Sequence, residues 1–116
     1  MADYQSQGKT TVSPEVLITI ARLSALSVPG VSSMAPIPGG VNRLFRRGAS
    51  DGVRIETRDN TVFVDMFLTL KQDVNIREVS RNVQQQVARA IQEMVGMDVG
   101  FVNIHIENID YEDDEA

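Results

Sequence analysis

Polar and apolar residues alternate with a period of two over residues 62–71, as they do in a strand with one buried face. One face holds only apolar residues: Val62, Val64, Met66, Leu68 and Leu70. The other face mixes aromatic and polar residues: Phe63, Asp65, Phe67, Thr69 and Lys71. Residues 53–58 alternate in the same way. Asp59 and Asn60 lie between the two runs and tolerate the positive φ of a tight turn. The pattern predicts a β-hairpin.

After the hairpin the apolar spacing becomes that of a helix, over residues 76–95. Asn75 and Glu78 form a capping-box pattern at its start, and Gly96 stands where a left-handed C-terminal cap is common. We expect the apolar stripe of this helix to be buried against the apolar faces of two strands. The stripe is Ile76, Val79, Val83, Val87, Ala90, Ile91 and Met94. Of these, Val79, Val83, Val87 and Ile91 are expected to lie against the strand residues Val64, Met66, Leu68, Ile104 and Ile106.

An earlier helix and further strands surround this unit. Ser13-Pro14-Glu15 is typical of a helix start, and that helix should stop before Pro29-Gly30. Residues 31–37 fit a strand, and Pro36 restricts it to an edge or a strand end because proline cannot donate to a ladder. Residues 9–12 fit a weaker strand, and residues 98–109 alternate again.

The predicted fold class is therefore α+β, in the order β-α-β-β-β-α-β. It is a single domain with a small antiparallel sheet and two helices packed on it. Residues 1–8 are expected to be a flexible lead-in, residues 9–109 the domain, and residues 110–116 a disordered acidic tail.

The net charge of −5 belongs to the C-terminal end. Residues 107–116 hold six acidic residues and no basic one, and the remainder has ten acidic against eleven basic residues. The body of the domain is close to neutral, which does not favour a polyanionic partner.

The residue types exclude several kinds of active site. The chain has no cysteine and a single histidine, His105, so neither a thiolate nucleophile nor a histidine-rich metal site can form. There is no phosphate-binding glycine loop, and paired carboxylates occur only in the tail. We predict a protein that is not an enzyme and needs no cofactor. The absence of cysteine and of a long apolar run fits a cytoplasmic location.

The ordered set of motifs resembles the alkaline shock protein family, the envelope stress response proteins of Gram-positive and related bacteria. The resemblance covers roughly residues 9–111. It is carried by Ser13-Pro14-Glu15-Val16-Leu17, Ile20-Ala21, Val28-Pro29-Gly30-Val31, Ser33-Met34, Gly52-Val53, Val62-Phe63-Val64-Asp65-Met66, Asp73-Val74-Asn75-Ile76, Val79, Gly96-Met97 and Val102-Asn103-Ile104-His105-Ile106.

This resemblance implies a small non-enzymatic cytoplasmic protein with a role in envelope stress or cell-envelope homeostasis. It also implies attachment to the inner face of the membrane through a partner protein that serves as an anchor. The family has no established catalytic residues or cofactor, so the resemblance assigns none here.

Two stretches are candidate interaction sites. Phe63, Asp65 and Phe67 fall on the strand face opposite the predicted core, where exposed aromatic area is typical of a contact surface. Asp65 then has two interpretations. It is a strand carboxylate that is solvated or hydrogen-bonded, or it is a polar anchoring residue inside an interface formed by Phe63 and Phe67. A helix covering the same face would explain the two phenylalanines equally well.

The second stretch is residues 41–47, which include Arg43, Leu44, Phe45, Arg46 and Arg47. It fits a connector whose arginines are solvated, a weak contact with an anionic membrane surface, or a contact with nucleic acid, which we rank lowest. The predicted partners are a second copy of the chain or another protein, bound through the sheet surface or through open edges at residues 9–12 and 31–37. The alternative function is a small nucleic-acid-binding or regulatory module.

Overall fold

Five strands form one sheet in the computed structural model, which describes residues 11–38 and 49–111. Two helices pack on one face of that sheet. The elements are α1 (Pro14–Leu26), β1 (Val31–Met34), β2 (Ala49–Ser50), β3 (Val53–Arg58), β4 (Thr61–Lys71), α2 (Ile76–Val95) and β5 (Asp98–Asp110).

Strand β4 lies at the centre and pairs with three other strands. β5 runs along one edge of β4 over its whole length, from Thr61 opposite Asp98 to Lys71 opposite Asp110. The other edge of β4 is divided between two antiparallel neighbours. β3 pairs with residues 61–66 of β4, and β1 pairs with residues 68–70.

Gly52 makes the division of that edge possible. The Phe67 N–H donates to Gly52 O and the Ala35 N–H donates to Phe67 O, each over 2.8 Å. Gly52 has a φ of 76°, and a Cβ placed on it would lie 2.6 Å from Ala35 O. Only glycine combines this left-handed backbone with so close an approach of another chain segment.

The α+β class, the single sheet and the two packed helices are confirmed. The expectation of a purely antiparallel sheet needs a correction, because β4 and β5 are parallel. The physical reason is that α2 connects them and crosses the sheet, so the chain enters β5 at the same end at which it entered β4.

The other differences concern short segments. Residues 11 and 12 are not in a strand, the predicted 31–37 strand ends at Met34, and the two-residue β2 was not predicted. The basic 41–47 segment, residues 1–10 and residues 112–116 lie outside the described part of the chain, as do the candidate residues Arg43, Leu44, Phe45, Arg46 and Arg47.

The helix ends form as their sequences predict. Ser13 Oγ accepts from the Val16 N–H at the start of α1, with Pro14 as the first helical residue. Asn75 Oδ1 accepts from the Glu78 N–H over 3.0 Å at the start of α2. Gly96 closes α2 in the left-handed conformation, and its N–H donates to Gln92 O.

The core lies between the helices and the sheet. The middle of the predicted stripe of α2 is buried, and the apolar face of β4 is fully buried opposite it; the members are Val79, Val83, Val87 and Ile91, with Val62, Val64, Met66, Leu68 and Leu70. Ile76 and Met94, near the two ends of α2, are exposed, so the prediction is wrong for them: the core covers the middle of the helix and not its ends. Ile104 and Ile106 pack against this core but are only half-buried. They lie on β5 at the margin of the sheet, where the described residues cover one side of them.

Candidate functional site: the outer face of the sheet

The sheet face opposite the helices, called the outer face here, carries the aromatic and charged side chains of three adjacent strands. Alternation places every second residue there, and the register brings members of different strands side by side. The outer face comprises Arg54, Glu56 and Arg58 on β3, Phe63, Asp65 and Phe67 on β4, and Phe101, Asn103 and His105 on β5.

Asp65 joins the three strands. Its register neighbours are Arg54 on β3 and Asn103 on β5, so both side chains start directly beside it. Asn103 Nδ2 donates to Asp65 Oδ1 over 3.2 Å, and His105 Nε2 lies 3.1 Å from the same oxygen. Arg54 Nη2 is 3.7 Å from Asp65 Oδ2. The carboxylate is thus hydrogen-bonded and ion-paired, which fixes its position and that of its neighbours.

Phe67 is covered within the monomer, in contrast to the expectation that it is exposed. It is 5% exposed and forms a small apolar cluster with Ala35 and Ile37. Its ring also stacks on His105, with centroids 4.6 Å apart and planes 13° from parallel. The covering element is the chain that follows β1, and not a helix. This part of the outer face is already occupied.

Phe63 keeps partial exposure and pairs with an aromatic residue that the sequence analysis did not single out. Its ring centroid lies 5.1 Å from that of Phe101 in a tilted arrangement. Gly100 makes room for this pair, because a Cβ there would collide with the Phe63 ring. Phe101 remains 42% exposed. The pair therefore presents aromatic surface to solvent beside the fixed carboxylate of Asp65.

Two arginines of β3 extend over the aromatic rings. The Arg58 guanidinium carbon lies 4.6 Å from the Phe63 ring centroid, and that of Arg54 lies 5.5 Å from the Phe67 centroid. Both distances are within the range of cation–π attraction. These contacts hold two positive charges over the outer face in defined positions.

The structure brings Phe63, Asp65 and Phe67 together with residues that alternation alone could not assign to the same site. Arg54 and Arg58 follow from the hairpin register and could have been found from it. Phe101 and His105 could have been placed beside Phe63 and Phe67 only from the parallel direction of β5, for which the helix between β4 and β5 is the signal in the sequence.

A metal-binding cluster and a membrane-spanning helix are both absent from the part of the chain that the structure describes. In the described ranges, no group of three or more histidine, cysteine or acidic side chains is arranged to hold a metal ion. Over the same residues, neither helix has both the length and the apolar character needed to cross a membrane.

Comparison with known proteins assigns the chain to a family. The sequence profile of the alkaline shock protein 23 family, which has a cell envelope-related function, matches residues 2–111. The chain belongs to this family. The resemblance to the alkaline shock protein family is thereby confirmed, and the match spans the outer face, both helices and the five strands described.

Individual relatives come from two Gram-positive species. The Bacillus subtilis protein YqhY is 28% identical over 107 residues, covering 90% of this chain and 79% of its own length. YloU of the same organism is 27% identical over 106 residues, covering 88% of each chain. The Streptococcus pyogenes protein Spy1535 is 30% identical over 103 residues, with 88% of this chain and 79% of that protein covered.

Solved structures similar to this alkaline shock domain show the same α+β arrangement. The nickel form of MamM CTD matches with a TM-score of 0.51 and 12% identity, covering 81% of this chain and 96% of that one. Its cadmium form matches with the same TM-score and 13% identity, covering 81% and 94%. At this level of identity the likeness concerns the fold alone.

Proposed function

We propose that the chain is a non-enzymatic protein of the envelope stress response and of cell-envelope homeostasis, and that it acts by binding other proteins through the outer face. It would work in the cytoplasm, at the inner face of the membrane, where a partner protein serves as its anchor. The proposal combines the envelope-related family with a face that presents exposed aromatic surface to solvent.

The observation that carries the proposal is the Phe63–Phe101 pair with Arg58 stacked over it. Aromatic residues and arginine are enriched among the residues that dominate binding energy at protein interfaces. Here their side chains are held in place before binding by their contacts with one another across three strands. Such preorganisation lowers the entropic cost of association.

Complementation of a deletion strain tests the proposal. A strain that lacks this chain is challenged with envelope stress and supplied with the parent, with a Phe101→Ser/Arg58→Ala variant, or with a Glu56→Ala control. Glu56 lies on the same strand, opposite Phe63 in the register, and is exposed, so its change alters the outer face while both aromatic rings and Arg58 are kept. We expect the control to restore survival and the double variant not to. Full rescue by a folded, normally abundant double variant would contradict the proposal.

One observation favours a second candidate function, in nucleic-acid binding. Phe63 and Phe101 lie on neighbouring strands of an open sheet face, as do the side chains on which bases stack in single-stranded RNA recognition. Against it, Glu56 and Asp65 offset the charges of Arg54 and Arg58 on that face. Binding of a single-stranded RNA oligonucleotide that weakens steeply with salt and is lost in Phe101→Ser would support this candidate; binding to anionic vesicles instead would not.

A further inference from the structure

Strand β5 leaves a long backbone edge open. It has 13 residues and pairs with β4 along one side, and within residues 11–38 and 49–111 no strand pairs with its other side. The other marginal strands are short, with four residues in β1 and two in β2. Proteins usually blunt such edges with proline, lysine or short strands, and β5 contains neither of these residues.

The side chains of β5 are also incompletely covered. Ile104, Ile106 and Ile109 on its helix-facing side are only half-buried, whereas their register neighbours Met66, Leu68 and Leu70 are fully buried. An additional strand beside β5 would cover this apolar margin and satisfy the open backbone groups together.

We infer that the open edge of β5 binds a second copy of the chain, with β5 against β5 in antiparallel pairing about a two-fold axis at Asn103. The inference deepens the proposed binding role by naming one partner. An antiparallel pair of identical strands is self-complementary and closes as a two-fold dimer.

The outer-face side chains favour this register. Pairing about Asn103 sets Phe101 of one copy opposite His105 of the other. Since His105 stacks on Phe67 and Phe101 packs on Phe63, each such pair continues into a row of four aromatic rings that crosses both copies. Cross-strand pairs of aromatic residues are among the stabilising ones in sheets.

The neighbouring rows match as well. Asn103 would face Asn103 of the other copy, flanked on each side by Asp65, to which its amide already donates. On the helix-facing side, Ile104 would face Val102, each already beside an apolar residue of β4. A register centred on Ile104 would instead set Phe101 opposite the acidic Glu107, and we reject it for that reason.

The local geometry of β5 agrees with a pairing centred here. The two irregularities in its register with β4 fall between Val99 and Phe101 and between Ile106 and Asn108, so the backbone between them is regular. Gln84 Nε2 donates to Val102 O over 2.9 Å, so one backbone acceptor of this run has a side-chain partner in the monomer. A carbonyl oxygen has two lone pairs and can accept a second bond.

Sedimentation of the full chain and of variants at Asn103 tests the inference. Asn103→Glu would bring two carboxylates face to face on the axis, next to the two Asp65 carboxylates, and Asn103→Gln keeps the amide as a matched control. We expect a dimer for the parent and for Asn103→Gln, and self-association weakened by at least about tenfold for Asn103→Glu. A parent that stays monomeric at high concentration overturns the inference, and so does a folded Asn103→Glu variant that dimerises like the parent.

Mixing two variants tests the position of the axis. Equal amounts of Asn103→Glu and Asn103→Lys should form a heterodimer, because opposite charges then meet at the centre; failure to pair overturns this register. If Asn103→Glu does not fold, Ile104→Lys replaces it, since lysine protects an edge strand; a folded Ile104→Lys dimer overturns the inference.

The same variant separates this inference from the proposed function. Asn103→Glu leaves Phe63, Phe101 and Arg58 unchanged. If the Asn103→Glu variant is monomeric and still restores survival under envelope stress, the inferred dimer is supported and the outer face functions without dimerisation. Full rescue of survival by Phe101→Ser/Arg58→Ala would reject the proposed function, whereas the dimer is tested separately by the sedimentation of the Asn103 variants.

Discussion

Asp65 shows how a single residue acquires its environment from strand register. Its neighbours Arg54 and Asn103 come from strands before and after β4, and His105 reaches the same carboxylate from the next outward position of β5. The Asp65 side chain is 22% exposed, so solvent screens part of each interaction. The network therefore positions side chains more than it stabilises the fold.

A double-mutant cycle can measure that positioning. We expect Asp65→Ala to lower the free energy of unfolding by about 1 kcal/mol, because it removes the acceptor of hydrogen bonds from partly exposed donors. Combined with Asn103→Ala, it should give a coupling energy of about 0.5–1 kcal/mol in urea unfolding. The pair Glu56→Ala and Asn103→Ala is the control and should be additive; an equally additive Asp65 pair would contradict the network.

The core offers a stronger test at the residue scale. Val83 is fully buried in α2 opposite β4, so Val83→Asp would bury an unpaired charge. We expect a loss of about 3–5 kcal/mol in the free energy of unfolding, whereas Gln85→Asp on the exposed side of α2 should change it by less than about 0.5 kcal/mol. A melting temperature within a degree or two of the parent would show that the assignment of Val83 to the core is wrong.

At the scale of secondary-structure elements, the strands and helices that were predicted correctly are those specified by residues close together in the sequence. The period of residues 62–71, the capping residue Asn75 and Gly96 each act within a few residues, and the structure contains the strand and the helix they predict. The alternation of β5 does not give its direction, because an alternating strand reads the same in a parallel or an antiparallel pair. The signal that could have given it is the predicted helix between β4 and β5, since a helical crossover usually joins parallel strands. The ring partners of Phe63 and Phe67, which are Phe101 and His105 on β5, depend on that direction.

Gly52 and Gly96 provide a matched pair of substitutions. Both have positive φ, but a Cβ on Gly52 would meet Ala35 O and Phe67 O, while one on Gly96 would meet nothing within 4 Å. Gly96→Ala should therefore lower the free energy of unfolding by about 1–2 kcal/mol for the left-handed backbone alone. We expect Gly52→Ala to cost at least about 1 kcal/mol more, because the junction of β1, β3 and β4 must open. Equal losses in urea unfolding would contradict the role given to Gly52.

At the scale of the whole molecule, both helices lie on one side of the sheet, and in residues 11–38 and 49–111 the chain after β1 covers the Phe67 part of the other side. Within the described residues, the remaining outer face and the edge of β5 are therefore open to partners. Removing the acidic residues 112–116 should strengthen self-association, more at low salt than at high salt, because like charges repel. Sedimentation of a variant truncated after Tyr111 checks this. Weaker association after truncation would mean that the tail takes part in binding.

A rival contact surface exists on α1, where Val16, Leu23 and Leu26 are exposed. Crosslinking in living cells distinguishes it from the outer face. A photoreactive residue is placed at Phe101 in one strain and at Leu23 in another, and adducts are compared under envelope stress. We predict protein adducts from position 101 and few from position 23. Adducts from position 23 alone would contradict the central claim that this protein acts through the outer face of its sheet.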